Sequence, residues 1–287
     1  MKLKLICIVL MFLIICIYLI AVIINNKDIY PHHYKNKCQE CFSHKIIHQT
    51  WKHHNLNDKQ KKLVNTWKKQ YPDWEYKYWT DDMLDDYVKK EFGPVYQMWS
   101  RLTPFIKKID CIRYMWLYTY GGIYSDFDLK SLKSFEKLLK YPDAAYIPVD
   151  NFKINWKKNK DKASPALIAS SSKHPFWLLC VRYICQYHHL PVKNATGPIA
   201  LANVVLLCYN YKKTLPFDLI FLKENKFGLG WLKKIFRKYT YHINTNDWDD
   251  NTTEQKPNYN QEAINWLNNK IKKECGDDFY HYFINNI

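Results

Sequence analysis

The chain has 287 residues, with 43 Lys and Arg against 27 Asp and Glu, for a net charge of +16. A field of that sign draws anionic partners such as nucleic acid, lipid headgroups or a phosphate-bearing substrate. The lysines run through nearly every segment instead of forming one stripe, which argues against nucleic acid and for a solvated face beside a membrane.

Residues 5–24, LICIVLMFLIICIYLIAVII, carry no charge, glycine or proline. At helical rise such a stretch spans roughly 30 Å, the thickness of a hydrocarbon core. A cleaved signal peptide would have a shorter apolar core followed by small residues, whereas Ile23, Ile24, Asn25 and Asn26 stand here. The expectation is an uncleaved anchor at 5–24 behind a short tail at 1–4, giving a single-pass type II protein whose C-terminal part is lumenal in a Golgi- or ER-type membrane. Residues 25–44 read as a stem, and 45–287 as one domain with a substantial core. Asn194 and Asn251 open N-x-T sequons. Cys38 and Cys41 form a lone C-x-x-C, which suits a local disulfide or free thiols better than zinc.

In the domain, KIIHQTW (45–51) predicts a buried first strand. Residues 57–70, with Leu63, Val64 and Trp67 at helical spacing, predict a helix, and WEYKYW (74–79) a second strand. Strand, helix, strand implies an α/β domain with a mixed, largely parallel sheet. Thr103 and Pro104 resemble a helix start and Gly121 a stop, for a helix of about four turns that carries Asp110 and Arg113 three residues apart on one face. Gly122–Asp126 then reads as a short buried strand that delivers Asp126 and Asp128 at its carboxyl end. Further strands are expected at 144–149, 166–170 and 219–222. Helices are expected from Pro175 behind a cap near His174, at 196–211 and at 261–273.

Two carboxylates on alternate residues at a strand end can both reach one cation. Oxygen donors favour Mn2+ or Mg2+, which keep open positions for phosphate oxygens and would neutralise a diphosphate leaving group. The carboxyl ends of strands are where α/β sheets bind ligands. Asp110 and Arg113 could bracket the hydroxyls of a polar ligand or form an ordinary structural ion pair. Tyr124 stands on the same strand as the acids.

DCIRYMWLYTYGGIYSDFDL (110–129) resembles the signature of the DXD-containing glycosyltransferases of family 32, which include α-1,6-mannosyltransferases and inositol-phosphoceramide mannosyltransferases. KIIHQTWK, YPDWEYKYWTDD, SSKHPFW, TGP and HINTNDW resemble other blocks of that family in the same order. The resemblance implies a Rossmann-like GT-A fold and transfer of a hexose from a nucleotide diphosphate sugar with retention of configuration. Asp126 and Asp128 would then hold the metal, Asp110 and Arg113 would grip the donor sugar, and Tyr124 would line the same pocket. His48 and Trp51 would lie on the strand approaching the nucleotide, while His242 would complete the metal shell and Trp248 would cover the diphosphate. Asp247 departs from the family's usual Ser before that Trp and leaves the ligand set open.

The mannosyltransferase branch implies GDP-mannose as donor and a membrane-associated glycolipid of inositol phosphoceramide type, or a glycan, as acceptor. A UDP-galactose or UDP-glucose donor is the alternative. A haloacid-dehalogenase-type phosphatase also uses a D-x-D, but at its first strand and with Thr soon after, where Leu129 and Lys130 stand here. A non-enzymatic, membrane-anchored polyanion- or glycan-binding module gives the acids no role. A glycan on Asn194 would obstruct the neighbouring TGP loop, so that sequon is expected to be unoccupied.

Overall fold

The computed structural model describes Met11 and residues 13–16, 44–149, 163–227, 238–243 and 259–287. Of the expected anchor only Met11 and residues 13–16 are described, and they are helical; among the described residues no helix is long and apolar enough to cross a membrane. Cys38, Cys41, Asp247, Trp248 and Asn251 lie outside the described residues.

The main sheet has six strands: β1 (Ile46–Trp51), β2 (Glu75–Thr80), β3 (Gly122–Ser125), β5 (Ala144–Val149), β6 (Leu167–Ser170) and β7 (Asp218–Lys223), in the spatial order β2-β1-β3-β6-β5-β7. β6 pairs antiparallel with both its neighbours, and every other pairing is parallel. The expected mixed, largely parallel α/β sheet is therefore present. A two-stranded antiparallel ribbon joins β4 (Leu129–Ser131) to β8 (Thr240–His242).

Pleat alternation gives the sheet two apolar faces, as a sheet covered on both sides requires. On β5, Ala145, Ile147 and Val149 turn to one core while Ala144 and Tyr146 turn to the other; on β7, Leu219 and Phe221 oppose Ile220 and Leu222 in the same way. The second core is closed by α1 (Asp58–Gln70), whose Trp67 sends its indole N–H to the Leu129 carbonyl, 2.7 Å away, and so ties the ribbon to the sheet. Asn57 caps α1 reciprocally with Gln60.

Helices α2 (Asp81–Glu91) and α3 (Gly93–Ser100) follow β2 and flank α4 (Ile106–Tyr120). α4 is buried around most of its circumference, with Cys111 through Tyr118 all enclosed, which makes it the central helix of the larger core. It starts at Ile106 behind Phe105, without a side-chain cap, so Thr103 is not its N-cap; the first turn is closed instead by Lys107 N–H on the Pro104 carbonyl. Gly121 ends α4 at φ 66° and Gly122 opens β3 at φ 94°, and a β-carbon at either would run into the backbone of Ser172 or Ile46. This pair lets helix and strand meet at a sharp corner.

Further α-helices among the described residues are α5 (Pro175–Tyr187), α6 (Val192–Ala195), α7 (Pro198–Asn210), α8 (Gln261–Cys275) and α9 (Asp277–Asn286). The expected cap on α5 is present, with His174 Nδ1 accepting from the Phe176 N–H. Cys111, Cys180, Cys185, Cys208 and Cys275 are buried free thiols.

Candidate active site

The site is built where β3 runs out. Asp126 donates its N–H to the Ala166 carbonyl at 2.7 Å, and its own carbonyl accepts from Leu129 N–H at 3.1 Å, closing a tight turn. Gln49 reaches across from β1 to the same carbonyl at 3.1 Å and is itself held by the Tyr76 hydroxyl at 2.6 Å. Between the acids, Phe127 is buried against Trp51, at 5.0 Å between ring centres, and against the edge of Tyr78.

The ribbon supplies the third member. β4 leaves directly from Asp128, and its pairing sets His242 opposite Leu129. His242 Nε2 then lies 3.0 Å from Asp128 Oδ1. One ligand atom from each of Asp126, Asp128 and His242 falls within 4.8 Å of the others. All three side chains keep some exposure, 29%, 15% and 23% respectively, so an ion could reach them. Two carboxylates with one imidazole form a donor set that a divalent cation could share, with positions left for further oxygen ligands.

Behind the acids lies a buried charge network. Arg113 donates to Asp110 Oδ1 at 2.6 Å and to the Pro165 carbonyl at 2.9 Å, and its Nη1 is 3.4 Å from Asp126 Oδ1. Its guanidinium sits over the Tyr124 ring, whose hydroxyl donates to Asp126 at 2.8 Å. Burial works against the Arg113 charge, but Tyr124, Asp126 and Asp110 outweigh it and raise its pKa. Asp126 is pushed above the usual carboxylate range, chiefly by desolvation; Arg113 opposes the shift and Asp128 adds to it. A carboxylate crowded in this way is one that a cation would relieve.

Two placements differ from expectation. His48 is fully buried among Trp79, Trp116 and Tyr120, with Nε2 at 3.0 Å from the Gly121 carbonyl and Nδ1 taking the Trp79 indole N–H. Burial lowers its pKa to about 3, so it is a neutral core histidine with no surface left for a nucleotide. Tyr124 is likewise enclosed and acts on Asp126 instead of lining an open pocket. Trp51, by contrast, is partly exposed beside the acid turn. Gln49, which holds the acid turn, and Thr196, whose hydroxyl donates to Asp110 Oδ2 at 2.8 Å, also adjoin the site; the signal for Gln49 was a polar residue inside the otherwise strand-forming KIIHQTW.

The decisive feature is thus a D-x-D turn in front of a buried Asp–Arg pair. Residues 57–145 match the family described as glycosyltransferase sugar-binding region containing DXD motif. The matched span carries Asp110, Arg113, Asp126 and Asp128, and bears out the resemblance to DXD glycosyltransferases. Inositol phosphoceramide mannosyltransferase 3 of Schizosaccharomyces pombe is 30% identical over 191 residues, 63% of this chain and 49% of that protein. Mannosyl phosphorylinositol ceramide synthase CSH1 of Saccharomyces cerevisiae is 29% identical over 166 residues, 56% of this chain and 42% of that protein. The initiation-specific alpha-1,6-mannosyltransferase of the same yeast is 33% identical over 95 residues, 30% of this chain and 20% of that protein. The chain spans about half the length or less of these curated relatives.

Proposed function

We propose that this protein is a metal-dependent, retaining glycosyltransferase of GT-A type that moves mannose from GDP-mannose onto a membrane-associated glycolipid of inositol phosphoceramide class. The observation that carries the reading is the convergence of Asp126, Asp128 and His242 beside the Asp110–Arg113 pair in a DXD-family segment. The names of the yeast relatives support the choice of mannose and of a sphingolipid acceptor.

Asp126, Asp128 and His242 would hold Mn2+ or Mg2+. Bound there, the ion would supply charge neutralisation for the diphosphate leaving group. Asp110 and Arg113 would orient the donor: each Asp110 oxygen keeps a lone pair beyond its bond to Arg113 or Thr196, which a sugar hydroxyl could use, and the guanidinium fixes the carboxylate's direction. Trp51, at the carboxyl end of β1, offers an aromatic face at the rim. A front-face course, in which the leaving phosphate takes the acceptor's proton, requires no protein nucleophile and accords with retention.

The apolar stretch at 5–24, the stem at 25–44 and a catalytic domain at 45–287 make a type II protein with a lumenal active site, its basic surface facing anionic headgroups. The test is release or transfer of sugar from GDP-mannose, UDP-galactose and UDP-glucose with Mn2+, with inositol phosphoceramide in vesicles and a soluble mannose oligosaccharide as acceptors. Turnover of GDP-mannose with transfer to the lipid is expected. Turnover of a UDP-sugar alone would replace the donor assignment, and inertness toward all three, with metal present, would overturn the transferase reading in favour of a binding module.

A further inference from the structure

The TGP triplet at 196–198 has a physical explanation for each residue. Pro198 opens α7 at its first helical position. Gly197 packs tightly against α6, because a β-carbon there would meet Lys193 Cα at 3.0 Å. Thr196, fully buried, points its hydroxyl at Asp110 Oδ2, 2.8 Å away.

We propose that Thr196 is a positioning residue of this site, holding one oxygen of Asp110 while Arg113 holds the other. The inference rests on the transferase reading above. The hydroxyl has one proton and two acceptors in reach, Asp110 Oδ2 at 2.8 Å and the Val192 carbonyl at 3.3 Å. That carbonyl already takes the N–H groups of Thr196 and Gly197, so the proton goes to the carboxylate, the nearer and stronger acceptor. The chain then runs Thr196, Asp110, Arg113, Asp126, with Arg113 meeting each acid through a different nitrogen.

Without the hydroxyl, Asp110 Oδ2 is a buried acceptor with nothing to satisfy it. The carboxylate would turn to take both terminal nitrogens of Arg113, the favoured fork geometry, and draw Nη1 away from Asp126 and Pro165. Thr196 is also the third residue of the Asn194 sequon, and its buried bond is a reason for the threonine that involves no glycan.

Five variants test this: Thr196→Val, Thr196→Ser, Asn194→Gln, Asp110→Asn and the Thr196→Val/Asp110→Asn double variant. Sugar-nucleotide turnover is read with whichever donor the wild type uses, and thermal midpoints are read in parallel. Thr196→Val should lower kcat about thirtyfold, as loss of a hydrogen bond to a charged group implies. Thr196→Ser should restore turnover, and Asn194→Gln should leave it unchanged. Because Thr196 acts through Asp110, its removal from Asp110→Asn should cost no further activity and lower the midpoint less than in the wild type. Additive losses in the double variant, full activity of Thr196→Val, or an equal loss in Asn194→Gln would overturn the proposal. If the wild type turns over no donor, the transferase reading fails, and the thermal cycle alone decides the Thr196–Asp110 coupling.

Discussion

Replacing Arg113 by Lys keeps the charge and removes the fork, so it isolates what the geometry contributes. Besides a long bond from Nε to the Ile109 carbonyl at 3.4 Å, the two terminal nitrogens serve acceptors in different directions: Asp110 Oδ1 at 2.6 Å, the Pro165 carbonyl at 2.9 Å and Asp126 Oδ1 at 3.4 Å. A single ammonium can follow Asp110 but cannot also span the other two, and the side chain is only 3% exposed, so little water can substitute. Losing two contacts from a charged donor, at about 1.5–3 kcal/mol each and partly recovered by rearrangement, leaves a destabilisation of about 3 kcal/mol. For a domain of this size that lowers the thermal midpoint by roughly 6–12 °C. Turnover should fall about a hundredfold, because Asp126 loses the partner that orients it. Circular dichroism melting of purified protein and sugar-nucleotide turnover are measured on one preparation below both midpoints. A midpoint within about 2 °C of wild type together with intact turnover would refute the network; a lowered midpoint with intact turnover would reduce it to a structural ion pair.

Asp126→Asn and Asp128→Asn should each abolish transfer with the fold intact, since an amide lacks the charge to hold a divalent ion against a diphosphate; circular dichroism and activity check this, and chelator should mimic both. His242→Ala should weaken Mn2+ binding about ten- to a hundredfold by titration calorimetry, and unchanged affinity would remove His242 from the ligand set. Acid should destabilise the protein through His48, whose pKa falls from 6.5 to about 3 on folding. Below pH 6.5 the unfolded chain takes up a proton that the folded one refuses, so stability drops by about 1.4 kcal/mol per pH unit until pH nears 3. His174, lowered to about 4, acts in the same sense, so urea unfolding of His48→Gln between pH 7 and 5 should show a shallower slope, not a flat one.

The acid pair was legible because its signals are local: two glycines, a short apolar strand and alternate carboxylates all lie within ten residues. β1, α1, β5 and β7 were legible for the same reason, each having a periodicity long enough to read. Residues 129–131 and 240–242 are too short to alternate, and their pairing joins segments more than a hundred positions apart, so only resemblance to a family pointed to His242. Family resemblance set His48 on the strand approaching the nucleotide, but a polar residue in mid-strand suits a core equally well. The deciding facts, an indole N–H from Trp79 and a carbonyl from Gly121, come from elsewhere in the chain. Helices α2 and α3 fall between the expected elements, and Thr103 and Pro104 imitate a helix start that the chain makes two residues later.

Phe127, wedged between the acids, gives the turn a rigidity that matters before any ion arrives. Its ring lies in a slot formed by Trp51 and Tyr78, and that packing resists any swing of the backbone that would let the two carboxylates part. The mutual repulsion of Asp126 and Asp128 is therefore borne by aromatic packing on the far side of the loop. An arriving cation would find its ligands already gathered and would spend little binding energy on ordering them.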